Sequence, residues 1–252
     1  MRVLRRQFIS LAAAITVLAA FAPAAEAATV SVAVAANFTK AATDLAAKFQ
    51  AKTGDEVKLS FGATGALYTQ ITQGAPFEVF LSADDKRTKT AIKDGFGVEG
   101  TDFTYAVGKV VLYAPTLDVT DGAAVLKAGA FQHIAIADPK AAPYGAAGMA
   151  VLDKLGLTAA IAPKIVTGEN ITQTLQFVDT GNAELGFVAL IQVAGKPATQ
   201  VWLAPAEDYP AIKQNAVLLK SGADDPAAKA FLDYLKSPEA IEVITAAGYT
   251  VE

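Results

Sequence analysis

The sequence predicts an α/β protein of two lobes built on parallel strands, and three observations carry that expectation. Between Thr29 and Ile71 the pattern runs strand, helix, strand, helix, an order that calls for parallel pairing. Four times along the chain a strand passes into a helix through a short turn of small or polar residues. The 252 residues are enough for two ordinary domains, yet no internal repeat or low-complexity linker separates them. Strands are therefore expected to cross between the lobes.

The chain opens on a targeting segment. Arg2, Arg5 and Arg6 precede an apolar stretch from Phe8 to Phe21, and Ala25-Glu26-Ala27 offers a small-x-small cleavage site. The stretch is short and Ala-rich for a membrane span. Arg5-Arg6-Gln7-Phe8-Ile9 also has the look of a twin-arginine signal, so export by the general secretory route or by the twin-arginine route is expected. Loss of this leader takes the net charge from −4 to −6, since Arg2, Arg5, Arg6 and Glu26 go with it. A net acidic chain without basic runs is a poor nucleic-acid binder. There is no Cys to carry a lipid anchor or a disulfide, and the mature chain is expected to be soluble outside the inner membrane.

The mature chain begins with the β-branched run Thr29 to Ala36. Phe38, Ala41, Ala42, Leu45 and Phe49 then follow at helical spacing, which makes Asn37 a candidate N-cap. Gly54 ends this helix. Val57 to Phe61 alternates apolar and polar residues as a half-buried strand does, and Leu67 and Ile71 resume helical spacing. Between them lies Gly62-Ala63-Thr64-Gly65, with Thr64 where an N-cap belongs. Neither a Walker loop nor a dinucleotide fingerprint is present here. A turn of this kind aims free backbone N–H groups at the positive end of a helix, which is a seat for an anion.

Gly74 to Asp84 reads as a turn, a buried strand and a polar exit. Asp84-Asp85-Lys86 is expected to serve the dipole of a helix start rather than a metal. Ala106 to Ala114 is strand-like, Asp121 to Ala130 a short helix, and Phe131 to Pro139 a strand ending at a break. The single His, His133, falls at the beginning of that strand, whereas ligands in open α/β sheets gather at the carboxyl ends. A third turn, Lys140 to Gly145, leads into a helix through Met149, Leu152 and Leu155, and places the phenol of Tyr144 at its start. The fourth runs from Lys164 to Ile171, where only backbone N–H groups are on offer. Leu185 to Ile191 is a continuous buried strand. Strand-rich sequence from Gln200 to Leu219 and helices from Pro226 and Pro238 complete the chain.

Taken in order, these motifs resemble the periplasmic molybdate-binding proteins of ABC-type uptake systems. The resemblance covers essentially the whole mature chain. It rests on Ala35-Ala36-Asn37-Phe38-Thr39, Phe61-Gly62-Ala63-Thr64-Gly65 and Gly74-Ala75-Pro76 with Leu81-Ser82-Ala83-Asp84. Ala137-Asp138-Pro139, Leu185-Gly186 and Phe231-Leu232-Asp233-Tyr234-Leu235 add to it. It implies a two-lobed periplasmic-binding-protein fold of type II character, with a cleft between the lobes and two crossovers at the hinge. The expected division is a signal peptide at 1–27, a discontinuous first lobe of 28–108 plus 192–252, and a second lobe of 109–191. It also implies oxyanion contacts at Asn37, Thr64, Tyr144 and Ile171, the same four turns found by local pattern. Family members with Ser at the first two positions differ from Asn37 and Thr64, which keep donor capacity. Others place a binding Tyr on the late strand, where this chain has Ala189, and Tyr144 would replace that phenol.

The implied function is capture of molybdate, and of tungstate, for delivery to a membrane permease by a monomer. No cofactor is expected, and no protein ligand to a metal cation, since molybdenum enters as its oxyanion. Three other readings compete at this level: a receptor for another oxyanion such as sulfate, an exported hydrolase, and an interaction-only module. Against the hydrolase stand the missing Gly-x-Ser-x-Gly elbow, the ill-placed His133 and the lack of Cys.

Overall fold

The computed structural model describes residues 27–251, so the expected signal peptide at 1–27 lies, but for its last residue, outside the described residues. The first segment forms β1 (Thr29–Ala35), α1 (Thr39–Thr53), β2 (Glu56–Gly62), α2 (Thr64–Thr72), β3 (Val79–Leu81), α3 (Asp85–Lys93) and β4 (Phe103–Gly108). The second forms β5 (Val110–Tyr113), α4 (Gly122–Ala128), β6 (Ile134–Ala137), α5 (Pro143–Lys154), α6 (Thr158–Ile161), β7 (Ile165–Gly168), α7 (Ile171–Asp179), β8 (Leu185–Ala189) and β9 (Val201–Leu203). The chain ends in β10 (Ile212–Leu218), α8 (Pro226–Tyr234) and α9 (Pro238–Ala246).

Two five-stranded sheets result, in the orders β2-β1-β3-β10-β4 and β7-β6-β8-β5-β9. Each is mixed rather than parallel throughout. β1 pairs in parallel with β2 and β3, and β6 with β7 and β8, as the strand-helix alternation demands. The antiparallel pairs come from the strands that arrive by crossing: β10 beside β3 and β4, and β5 beside β8 and β9. A strand that enters without a helical crossover has no reason to run parallel.

The apolar run Ala106 to Ala114, read as one strand, is two. It breaks at Lys109, and Gly108 ends β4 in the first sheet while Val110 begins β5 in the second. The return crossing falls later than the expected boundary after residue 191. Val201–Leu203 still pairs with β5, so the chain goes back to the first sheet only between Leu203 and Ile212. Local pattern does not reveal this, because a three-residue strand carries no periodicity of its own.

Each sheet has its own core. Phe38, Phe49, Phe231 and Tyr249 pack with Val30 and Val34 on the first. Phe187, Leu112, Ile136 and Leu152 pack on the second. The ring contacts Phe38–Tyr105 and Phe49–Phe231, with centroids 4.8 and 5.3 Å apart, tie the turn before α1 to β4 and α1 to α8 across the first lobe. The carboxyl ends of β1, β2 and β6 face one another across the space between the lobes, where open α/β sheets place their ligands.

Candidate functional site

All four sequence-predicted residues line one small cavity at the lobe interface. As the lobes stand, the cavity is tight, with free space of about 10 Å³, the scale of a single water molecule. Asn37, Thr64, Tyr144 and Ile171 are each 5% exposed or less. Among the described residues, no charged side chain lines the cavity. Its walls are the turns after β1, β2, β6 and β7, with Ala83 from beyond β3, so the feature noticed four times in the sequence is brought to one point.

The turns do not all work as the sequence suggested. Asn37 is not an N-cap: it lies within a 3₁₀ turn, Ala36–Phe38, that runs straight into α1. Its amide faces the hinge instead, donating from Nδ2 to Gln214 Oε1 at 2.6 Å and to Tyr249 Oη at 2.9 Å. Tyr249 in turn donates to the Asn37 carbonyl at 2.9 Å. Thr64 is likewise not the cap but the first residue of α2, with Ala63 in the extended cap position. Its Oγ1 accepts from the Ala83 N–H at 3.0 Å. A hydroxyl that accepts on one side still has its own proton to donate on the other.

Ile171 opens α7, and its cap explains why its N–H is on offer. Asn170 Oδ1 accepts from the N–H groups of Thr172 and Gln173, at 2.9 and 3.0 Å. The first N–H of the helix, that of Ile171, is used by neither cap bond, and Ile171 lines the cavity. Tyr144 is the second residue of α5, behind Ala142 as cap and Pro143 at the first helical position. Its hydroxyl is buried without a hydrogen bond of standard geometry to the protein, although the Tyr249 phenol is close enough to act on it electrostatically. Burial, then the neighbouring phenols of Tyr249, Tyr105 and Tyr209, push the Tyr144 pKa well above its ordinary value. Burial also raises that of Tyr249. Both phenols stay protonated and able to donate at any ordinary pH.

Two groups in this region carried no sequence signal. Gln214 sits at a register shift in β10 and is fully buried, with Nε2 unpartnered. Tyr249 joins it from beyond α9. Only an N-terminal residue seen beside one 177 and one 212 positions later would have disclosed them. His133 takes no part: it precedes β6, where its N–H donates to Glu184. Asp84 serves a helix start as expected, its Oδ1 capping α3 by accepting from the Arg87 N–H at 2.8 Å.

The lobes touch around the cavity. Gly65 N–H donates to the Ala141 carbonyl at 2.8 Å, Arg87 Nη2 to the Lys140 carbonyl at 2.5 Å, and Thr172 Oγ1 to the Ala36 carbonyl at 3.4 Å. A closed seat lined with neutral donors suits an anion small enough to be enclosed.

Comparison with known proteins agrees with that geometry. Residues 30–250 match the family described as bacterial extracellular solute-binding protein. The molybdate-binding protein ModA of Rhodobacter capsulatus is 54% identical over 242 residues, 96% of each chain. That of Azotobacter vinelandii is 54% identical over 233 residues, 91% of this chain and 92% of its own. Among solved structures, the periplasmic molybdate-binding protein of Azotobacter vinelandii superimposes with a TM-score of 0.84 at 40% identity, over 88% of this chain and 99% of the other. The chain belongs to the bacterial extracellular solute-binding proteins, in the family of the ModA molybdate-binding proteins.

Proposed function

We propose that the protein captures molybdate in the periplasm and hands it to the permease of an ABC transporter, with tungstate as an equivalent ligand. Solute-binding proteins of this family are not enzymes, and they deliver their ligand unchanged. The observation that carries the reading is the meeting of four turns at one cavity, each lining it with uncharged residues. Asn37, Thr64, Tyr144 and Ile171 are its proposed oxyanion contacts. Export as a monomer, with the leader removed by either secretory route, completes the proposal.

Neutral donors can hold a dianion. Each α-helix N-terminus acts as roughly half a positive charge, and α2, α5 and α7 all begin at the cavity. Such a seat also counts protons. A fully deprotonated tetrahedral oxyanion accepts from every donor, whereas a protonated phosphate would set its own hydrogen against an N–H, a contact that costs on the order of several kcal/mol in a dry site. Sulfate has the charge and shape of molybdate, so cavity size must separate them. Tungstate is nearly the size of molybdate and should bind alike.

Calorimetry of the mature protein against molybdate, tungstate, sulfate and phosphate tests this. Molybdate and tungstate are expected to bind one-to-one and tightly, phosphate not measurably. Sulfate within tenfold of molybdate, about 1.4 kcal/mol, would overturn the assignment.

A further inference from the structure

We infer that Arg87 is a clasp across the cleft, a positioning residue that sets how long the closed protein retains its ligand. It rests on the oxyanion reading for the identity of that ligand. Arg87 lies in the first turn of α3, on the first lobe, and does not line the anion cavity. Its guanidinium is held at two points. Nη1 donates to Asp84 Oδ2 at 2.5 Å, and Nη2 reaches over the cleft to the Lys140 carbonyl at 2.5 Å. Both carboxylate oxygens of Asp84 are occupied by Arg87, since Oδ1 accepts its backbone N–H. Arg87 and Asp84 are only 22% and 20% exposed in their side chains, so the pair is better shielded than an ordinary surface ion pair.

What the clasp grips gives it its role. Lys140 belongs to the turn after β6 that carries Ala142, Pro143 and Tyr144 to the cavity. The neighbouring carbonyl, that of Ala141, is held from the same side by Gly65 N–H at 2.8 Å. The fit there is close. A Cβ on Gly65 would stand 2.9 Å from Arg87 Nη2 and 3.0 Å from Ala141 Cα. Two residues of the first lobe, Arg87 (held by Asp84) and Gly65, thus grip two consecutive carbonyls of the second. These bonds exist only when the lobes meet, and an encounter with ligand precedes that meeting. Their loss should therefore appear in the release rate and spare association. The planar fork suits Arg alone, because a Lys ammonium is a single point and cannot span carboxylate and carbonyl in fixed geometry.

Stopped-flow kinetics with molybdate decides the matter, using Arg87→Met, Arg87→Lys and, as a control of equal charge loss, the exposed neighbour Lys86→Met. Arg87→Met should release molybdate at least tenfold faster, with association within threefold of wild type and the melting temperature of the ligand-free protein nearly unchanged. Arg87→Lys should fall between the two, and Lys86→Met should match wild type. Release from Arg87→Met within twofold of wild type would overturn the clasp, as would equal acceleration in Lys86→Met. If wild type binds none of the oxyanions, the function assigned above fails, and small-angle scattering of the ligand-free proteins reads the clasp instead. A wider Arg87→Met particle would then support it, and superimposable profiles would overturn it.

Discussion

Gly108→Ala offers a sharp test of how the lobes meet. Gly108 ends β4 at the first crossing, and a Cβ there would lie 2.0 Å from the Tyr144 hydroxyl, 2.9 Å from its Cζ and 3.2 Å from Gln214 Nε2. Contacts below 3.0 Å are essentially never seen for a real Cβ, so the phenol must withdraw by about 1 Å. Tyr144 stands on the opposite lobe and is fully packed. The withdrawal is therefore taken up by incomplete closure. Opened by that much, the Gly65–Ala141 and Arg87–Lys140 hydrogen bonds lengthen to about 3.8 and 3.5 Å and are effectively lost. A neutral bond contributes about 0.5–1.5 kcal/mol and one with a charged donor about 1.5–3. The variant should bind molybdate more weakly by about 2–4.5 kcal/mol, which is roughly 30- to 2,000-fold. In the open protein no clash arises, so the ligand-free melting temperature should hardly change. Calorimetry and differential scanning of the two proteins measure both quantities. Adding Tyr144→Phe removes the offending oxygen, so the double variant should lose less than the two single changes combined. Affinity within threefold of wild type for Gly108→Ala, or strict additivity in the cycle, would refute the reasoning.

Ile171→Pro should weaken molybdate binding by about 1.5–3 kcal/mol relative to an Ile171→Val control, because it deletes one N–H donor to a charged acceptor. The first helical position tolerates Pro, Asn170 before it is extended at φ −152° and ψ 175°, and α5, α8 and α9 all begin that way. Equal affinities by calorimetry would remove this N–H from the shell. Stability should also fall in alkali. Burial raises the folded-state pKa of Tyr105, Tyr144 and Tyr249, so their contribution is fully present below the unfolded value of about 10 and is lost as pH rises beyond it. Melting temperatures should be level from pH 7 to 9.5 and drop above about 10, less steeply in Tyr249→Phe; a flat profile through pH 11 would contradict this.

The local half of this architecture is legible in the sequence, and the non-local half is not. Apolar spacing and β-branched runs disclose β1, α1, β2 and α2, because those patterns are set by neighbours along the chain. The four turns around the cavity follow from the same signals. Which residue occupies each cap does not. Asn37 looks like a cap in sequence, yet a 3₁₀ turn draws its amide to Gln214 and Tyr249, a tertiary preference that overrides the local one. Arg87 is similar. Its sequence neighbours suggest only a helix-start ion pair, and its partner Lys140 lies 53 residues away on another lobe. β9 is read as strand-rich sequence, but its sheet is not legible: Val201–Leu203 is assigned to the second lobe only by its ladder with β5.

The uncharged lining of the cavity divides the influence of salt between two stages. Outside, the net negative chain repels an approaching dianion, and that repulsion acts over a distance that dissolved ions shorten to about 10 Å at 0.1 M. Ionic strength thus eases the encounter. Inside, no ammonium or guanidinium lines the cavity among the described residues, and mobile ions cannot share a space that admits one small group. The grip of backbone dipoles and hydroxyls is then the same in dilute and in concentrated surroundings. A protein facing a compartment whose salt content follows the environment would capture its ligand at a variable pace and hold it at a constant strength.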